Sequence, residues 1–211
     1  GDELLRPGDA FRPGAVYDSN AVMLETLAGL AGAKITDLGV LPDSREAVQG
    51  RLKEAAVEYP LILTSGGASL GEEDYLTATL RALGEISLWQ VAIKPGRPIC
   101  AGRIGNSALI GLPGNPVAAF VCFLLYVYPL IQSLGGAGWR RARRYTMPAA
   151  FSMSKKQGRR EFIRGMLDAI DGELRVRNYE RTGSGLITSL READGLIEIR
   201  EDTVEITPGD P

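Results

Sequence analysis

The chain of 211 residues contains no histidine. This absence excludes serine or cysteine catalysis that uses an imidazole base, zinc sites with histidine ligands, and imidazole proton shuttles. Acid–base or metal chemistry in this protein must therefore use carboxylates, lysine, tyrosine or backbone groups.

Cysteine is also scarce, and the two thiols are Cys100 and Cys122. Each lies in an apolar stretch and they form no Cys-x-x-Cys motif, so the sequence supports neither a disulfide scaffold nor a structural zinc site. Two unpaired thiols fit a reducing compartment. We therefore expect a cytoplasmic protein.

A strong net charge is missing as well. The chain has 24 Lys and Arg against 26 Asp and Glu, a formal charge of -2, which gives no general attraction to a polyanion. Basic stretches at 140–144 and 155–160 could contact polyanions, but at this net charge we interpret them as a solvated linker and a solvated loop. Nucleic acid is not the expected partner.

No apolar run reaches the usual transmembrane length. The longest, from Pro116 to Ile131, carries no charge but falls short of the roughly 20 residues that span a bilayer. It predicts a buried helix, with a membrane helix as the second interpretation. No signal peptide opens the chain and its first residue is Gly1 rather than Met, so we expect a fragment or a processed chain.

Apolar residues are plentiful, at 45% of the chain, so a sizeable core can form. Helical periodicity at 17–31 and 44–58 flanks an alternating stretch at 34–41, and the pattern repeats as a strand at 61–64 and a helix at 73–83. Alternating strands and helices with short turns predict an α/β fold that is doubly wound around a mostly parallel sheet.

The pattern changes after residue 84. Extended stretches are predicted at 85–93, 98–101 and 107–111, before an apolar helix that begins near Pro116 with Asn115 as its cap.

A composition shift at 135–144, from glycine-rich to arginine-rich, marks the best domain boundary. We therefore predict an α/β domain over residues 1–138 and a small β-rich domain, sheet or barrel, over residues 139–211. The short runs behind the second domain lie at 145–151, 161–169, 173–177, 195–200 and 203–207.

The loop from Thr64 to Asp74 is the strongest local signal. It contains three glycines and two serines between a predicted strand and a predicted helix, so its backbone N–H groups could approach an anion. It matches neither a Walker loop nor a dinucleotide fingerprint. A phosphate cradle and a tight turn without a ligand both fit this pattern.

Three acidic residues, Glu3, Asp43 and Asp74, follow predicted strands. The carboxyl ends of parallel strands form the edge where open α/β sheets bind ligands, and a set of carboxylate oxygens suits Mg²⁺. Helix capping is the alternative for Asp74, and ordinary turn chemistry is the alternative for Asp43.

Two further loops could meet an anion. The loop from Lys94 to Pro98 carries two cations on a rigid turn, for which a solvated hairpin tip is the alternative. The loop from Leu112 to Pro116 precedes the apolar helix. Its backbone N–H groups lie at the amino end of that helix, where an anion could bind.

Five motifs together resemble the carboxy-terminal half of the MoeA-type molybdopterin molybdenumtransferases, whose animal relative is gephyrin. Their order and spacing are more specific than any single loop. The likeness runs from Gly1 to about Leu134 and continues more loosely through 158–162 into the β domain. The motifs are Gly1–Leu4, Tyr17–Asn20, Ser65–Tyr75, Lys94–Pro98 and Leu112–Pro116.

This resemblance implies a molybdopterin-binding α/β domain followed by a small β-barrel domain. It implies an enzyme that inserts molybdate into adenylylated molybdopterin and releases AMP with the help of Mg²⁺. A homodimer is implied for the full-length protein, as is contact with the adenylyltransferase of the same pathway.

The resemblance also assigns residues. Glu3, Asp43 and Asp74 would be the catalytic acids and metal ligands, and Lys94 would meet an anionic group of the substrate. The residues implied in substrate binding are Ser65, Gly66, Gly67, Ser69, Lys94, Pro113, Gly114, Asn115 and Pro116.

The chain departs from the family pattern in places. Gln90 stands where relatives often carry lysine, and the strand expected before Gly1 is absent together with the upstream domains, so we expect the fragment alone to be poorly active. Two other functions remain open, a molybdopterin adenylyltransferase or related nucleotide pyrophosphatase, and a peptide-binding scaffold like gephyrin.

Overall fold

The computed structural model describes residues 1–67, 75–170, 172–179 and 187–211. Its first part contains the predicted helices and the predicted strand at 61–64, but no strand separates the first two helices. The helices are α1 (Ser19–Leu30), α2 (Arg45–Glu58) and α3 (Tyr75–Leu83). The strands are β1 (Leu4–Leu5), β2 (Val16–Tyr17), β3 (Leu61–Ser65), β4 (Glu85–Trp89), β5 (Ile93–Lys94), β6 (Cys100–Ile104) and β7 (Ser107–Leu112).

The central sheet has the strand order β3-β7-β6-β4, and the predicted α/β class is confirmed. The sheet is mixed rather than mostly parallel: β3 and β7 are parallel, whereas β7 pairs with β6, and β6 with β4, in antiparallel fashion. The physical reason lies in the connection at Gly105 and Asn106, because a turn this short can join only antiparallel neighbours.

Residues 34–41 do not form the predicted strand. In the part of the chain that the structure describes, β3 pairs with β7 on one side and has no strand on the other. The segment instead lines a groove of about 680 Å³ together with α1, α2 and β3, which we call the β3 groove. Alternating apolar residues favour a strand only where a neighbouring strand completes the ladder.

Polar side chains fix where the helices begin. Asp18 accepts a hydrogen bond from the N–H of Ala21 at 3.0 Å and so caps α1. Ser44 caps α2 in the same way. Both contacts satisfy backbone donors that the first turn leaves free.

The apolar helix is continuous from Pro116 to Leu134. It comprises α4 (Pro116–Cys122), one π-helical turn and α5 (Tyr128–Leu134). The wider turn precedes Pro129, which has no N–H to donate to the preceding turn. This helix is long and apolar enough to cross a membrane, but half of its most apolar stretch is buried within the protein. Its inward side chains form much of the core, which agrees with the predicted buried helix; they include Val117, Ala119, Val121, Cys122, Phe123 and Val127.

The last part of the chain is rich in strands. They are β8 (Met153–Ser154), β9 (Arg160–Ile170), β10 (Glu173–Asn178), β11 (Gly195–Ile199) and β12 (Glu205–Ile206), with one short helix, α6 (Thr188–Glu192). The β-rich character is confirmed, but the described strands form no closed barrel, because β8 and β12 pair with each other apart from the β10-β9-β11 sheet. The boundary between residues 138 and 139 stays a prediction.

One strand pair connects the two parts. β5 runs parallel to β9, with Ile93 opposite Arg160 and Lys94 opposite Glu161. The N–H of Arg160 donates to the carbonyl of Ala92 at 2.9 Å. The loop that begins at Lys94 is therefore held by the β-rich part of the chain.

Candidate functional site

Two loops meet where the parallel strands β3 and β7 end. The N–H of Gly66 donates to the carbonyl of Leu112 at 3.0 Å, and a Cβ atom on Gly114 would lie 3.8 Å from Gly66 Cα. We call residues 65–67 and 113–116 the strand-end loops. They bring together the predicted Ser65, Gly66 and Gly114, as expected for neighbouring parallel strands whose carboxyl ends share one sheet edge.

The glycines of the first loop have a conformational role. Gly66 has φ +85° and Gly67 has φ +71°, a backbone region that side chains other than glycine rarely adopt. Because the N–H of Gly66 donates to Leu112, the N–H of Gly67 is the backbone donor of this pair that could meet an anion.

The second loop opens α4. Asn115 Oδ1 accepts from the N–H of Ala118 at 3.1 Å, and Pro116 occupies the first helical position. Pro113 completes the loop after β7. The amino end of α4 thus lies beside Gly66, and a helix amino end favours negative charge.

Asn20 joins the two loops. Its Nδ2 donates to Ser65 Oγ at 2.6 Å and to the carbonyl of Gly114 at 2.8 Å, and the residue is only 6% exposed. Its Oδ1 and the hydroxyl of Thr64 are both buried with no hydrogen-bond partner among the described residues. Buried polar atoms are normally paired, so Asn20 Oδ1 marks a place beside these loops for a hydrogen-bond donor, whereas the Thr64 hydroxyl lies in the core near Gly111.

Asn20 was not among the predicted site residues, although it belongs to the Tyr17–Asn20 motif. A signal existed: Asn20, Leu24 and Ala28 are the buried residues of α1, and a polar residue on such an apolar stripe is unusual. Its two contacts lie 45 and 94 residues away in sequence, so local patterns could not reveal them.

Glu3 and Asp43 lie near each other. Asp43 Oδ2 accepts from the N–H of Asp2 at 2.9 Å, and the α-amino group of Gly1 lies 2.9 Å from Glu3 Oε2. Hydrogen bonding to that amino group lowers the pKa of Glu3, partly offset by desolvation and by the charge of Asp43. Among the described residues, no three acidic or cysteine side chains converge in a metal-binding group.

Ser69 and Asp74 lie outside the described residues. Their predicted roles in substrate and metal binding therefore stay predictions from the sequence.

Lys94 forms an ion pair with Glu161 of the β-rich part. Its Nζ is 3.1 Å from Oε2 of Glu161, a carboxylate whose side chain is only 5% exposed, whereas Lys94 is 53% exposed. The loop after Lys94 packs on α4, where Cys122 Sγ contacts the carbonyl of Gly96 at 3.6 Å. Burial raises the pKa of Cys122 to about 12, so this thiol is neutral and serves packing.

The fold and this site define a class, an α/β domain with glycine-containing loops and helix amino ends at one sheet edge. Its family follows from comparison: the chain belongs to the family described as the probable molybdopterin binding domain, whose model matches residues 1–133. The family described as the MoeA C-terminal region (domain IV) matches residues 146–211.

Individual relatives agree with this assignment. The molybdopterin molybdenumtransferase of Haemophilus influenzae is 32% identical over 212 residues, covering 100% of this chain and 52% of the relative. Molybdopterin molybdenumtransferase 2 of Mycobacterium tuberculosis is 33% identical, with 99% and 53% covered. The chain thus spans about half the length of these curated relatives.

A solved structure shows the same fold. The molybdopterin biosynthesis moea protein from Pyrococcus horikosii superposes with a TM-score of 0.81 at 28% identity, covering 98% of this chain and 50% of that one.

Proposed function

We propose that this chain acts, within molybdenum cofactor biosynthesis, in inserting molybdate into adenylylated molybdopterin with release of AMP. The observation that carries the proposal is the meeting of the two strand-end loops beside Asn20 and the amino end of α4. Backbone donors and a helix amino end suit a phosphate group. The names of the relatives supply the substrate class.

The strand-end loops would hold the anionic part of the substrate. Gly67 offers a backbone N–H group and Ser65 offers a hydroxyl, while Pro113 and Pro116 shape the loop around Gly114 and Asn115. Lys94 keeps three N–H donors, of which Glu161 uses one. The others are free in this proposal to meet an anionic group of the substrate.

Mg²⁺ fits Glu3 and Asp43 by donor type. Glu3 and Asp43 supply carboxylate oxygens close to each other, and the sequence predicts Asp74 as the third acid. Hard cations such as Mg²⁺ prefer these oxygens together with substrate phosphates. The ion would neutralise phosphate charge when AMP leaves.

The proposal extends to a longer protein of the length of these relatives. We infer a cytoplasmic homodimer that receives its substrate from the adenylyltransferase of the pathway. Both cysteines are free thiols, which fits a reducing compartment.

The test incubates the purified chain with adenylylated molybdopterin, molybdate and Mg²⁺ and measures both substrate binding and AMP release. We expect binding with slow turnover, and we expect Asp43→Asn to lower turnover. Asp202→Asn, an exposed carboxylate in the β-rich part, is the matched control and should change neither quantity.

Other outcomes would contradict the proposal. Consumption of ATP with molybdopterin would indicate an adenylyltransferase. Binding of a peptide, without binding of the pterin nucleotide, would indicate a scaffold.

A further inference from the structure

The orientation of the Asn20 amide follows from its surroundings. The carbonyl of Gly114 can only accept, so the group 2.8 Å from it must be the N–H₂ of Asn20. The same nitrogen lies 2.6 Å from Ser65 Oγ. The amide therefore donates to both strand-end loops at once.

This orientation decides what the Ser65 hydroxyl can do. Because Oγ accepts from Asn20, its lone pair is used on that side and its own proton must point elsewhere. Among the described residues, Ser65 has no side-chain hydrogen bond besides the one from Asn20. The hydroxyl proton therefore has no acceptor among the described residues, and it lies beside Gly66 and Gly67, whose φ values of +85° and +71° mark the turn.

Burial makes the arrangement rigid. Asn20 is 6% exposed, and it lies in the first turn of α1, two residues after the capping residue Asp18. One side chain thus connects α1, the end of β3 and the loop that opens α4. Because Asn20 is shielded from water, breaking one of its hydrogen bonds would leave a buried polar group without a partner, which is costly.

We propose that Asn20 is a positioning residue that orients the Ser65 hydroxyl as a hydrogen-bond donor to a phosphate oxygen of the substrate. The inference rests on the proposed function, because that function supplies the phosphate. Asn20 itself acts through Ser65 and Gly114.

The test compares variants of the whole chain in their affinity for AMP, measured by titration calorimetry. Asn20→Asp keeps the shape of the side chain but replaces its donors with acceptors, which repel the Gly114 carbonyl and take the Ser65 proton. We expect AMP affinity to fall roughly 10-fold or more. Asn106→Asp makes the same chemical change in the exposed turn between β6 and β7 and should leave affinity unchanged.

A double-mutant cycle separates positioning from a general structural role. If Asn20 acts through Ser65, Asn20→Ala should weaken AMP binding several-fold in the wild-type background and less than about two-fold in the Ser65→Ala background. Equal losses in both backgrounds would overturn the inference. The cycle also provides the answer if Asn20→Asp does not fold.

Turnover of adenylylated molybdopterin, assayed separately, keeps the two proposals distinguishable. Turnover by the wild-type chain with no effect of Asn20 on AMP affinity would refute the inference and leave the function standing. Loss of AMP affinity through Ser65, without turnover, would support the inference and contradict the function. Absence of AMP binding by the wild-type chain would overturn the inference.

Discussion

Gly111 shows at the scale of one residue how closely the sheet packs beneath the candidate site. A Cβ atom there would overlap Leu76 Cδ2 and lie 2.7 Å from Cys100 Sγ. Both neighbours are buried in the core, so neither can move freely.

We therefore expect Gly111→Ala to lower the free energy of unfolding by about 1–3 kcal/mol, the usual cost of overpacking a core. Urea denaturation measures it. Gly195→Ala is the matched control, because its new methyl group would meet nothing within 4 Å. Equal stability of the two variants would show that the core beneath the site is loosely packed.

Individual residues were predictable from the sequence where one rule was sufficient. Ser65, Gly66 and Gly114 were proposed from their loops and from the family resemblance, and the structure brings these three residues together. Asn20 was missed because its role depends on partners far away in sequence. Lys94 was assigned to the substrate, and its contact with Glu161 could not be foreseen, because it arises from pairing between distant strands.

At the scale of elements, the pairing of β5 with β9 places Lys94 opposite Glu161. We expect Lys94→Ala to lower the free energy of unfolding by about 1–3 kcal/mol, because the buried carboxylate loses its partner. The double variant with Glu161→Gln should recover much of that loss, since the amide carries no charge.

Urea denaturation of the four combinations measures this coupling. Arg51→Ala removes an exposed ion pair with Glu54 and should cost only about 0.5 kcal/mol or less. Simple addition of the two single effects in the double variant would argue against direct coupling of Lys94 and Glu161.

Helices were the elements best predicted, since apolar spacing and caps are local signals. Strand direction was predicted less well. The mixed sheet follows from the short β6–β7 turn, and residues 34–41 pair with none of the described strands despite their alternating pattern. Strands depend on their neighbours, which the sequence does not place.

At the scale of the whole molecule, the stretch from 133 to 146 is exposed throughout and contains four arginines. We expect trypsin to cut first at Arg140, Arg141 or Arg143, because Arg144 is held by Glu198 at 2.7 Å. The two pieces should stay together through β5 and β9.

Denaturing gel electrophoresis measures where trypsin cuts. Size exclusion under native conditions measures whether the two pieces stay together. Replacing the three arginines with glutamine should protect the stretch. Elution of two separate pieces would show that the β5–β9 contact is too weak to hold them.

The β3 groove has a consequence for handling the protein in solution. In the described fold, β3 leaves one row of backbone donors and acceptors unpaired, and edges of this kind recruit other extended chains. Two copies meeting edge to edge would pair these rows and cover the groove's apolar lining. Association through this strand should therefore increase with protein concentration, and it would lower the solubility of the protein below what its surface charge alone would give.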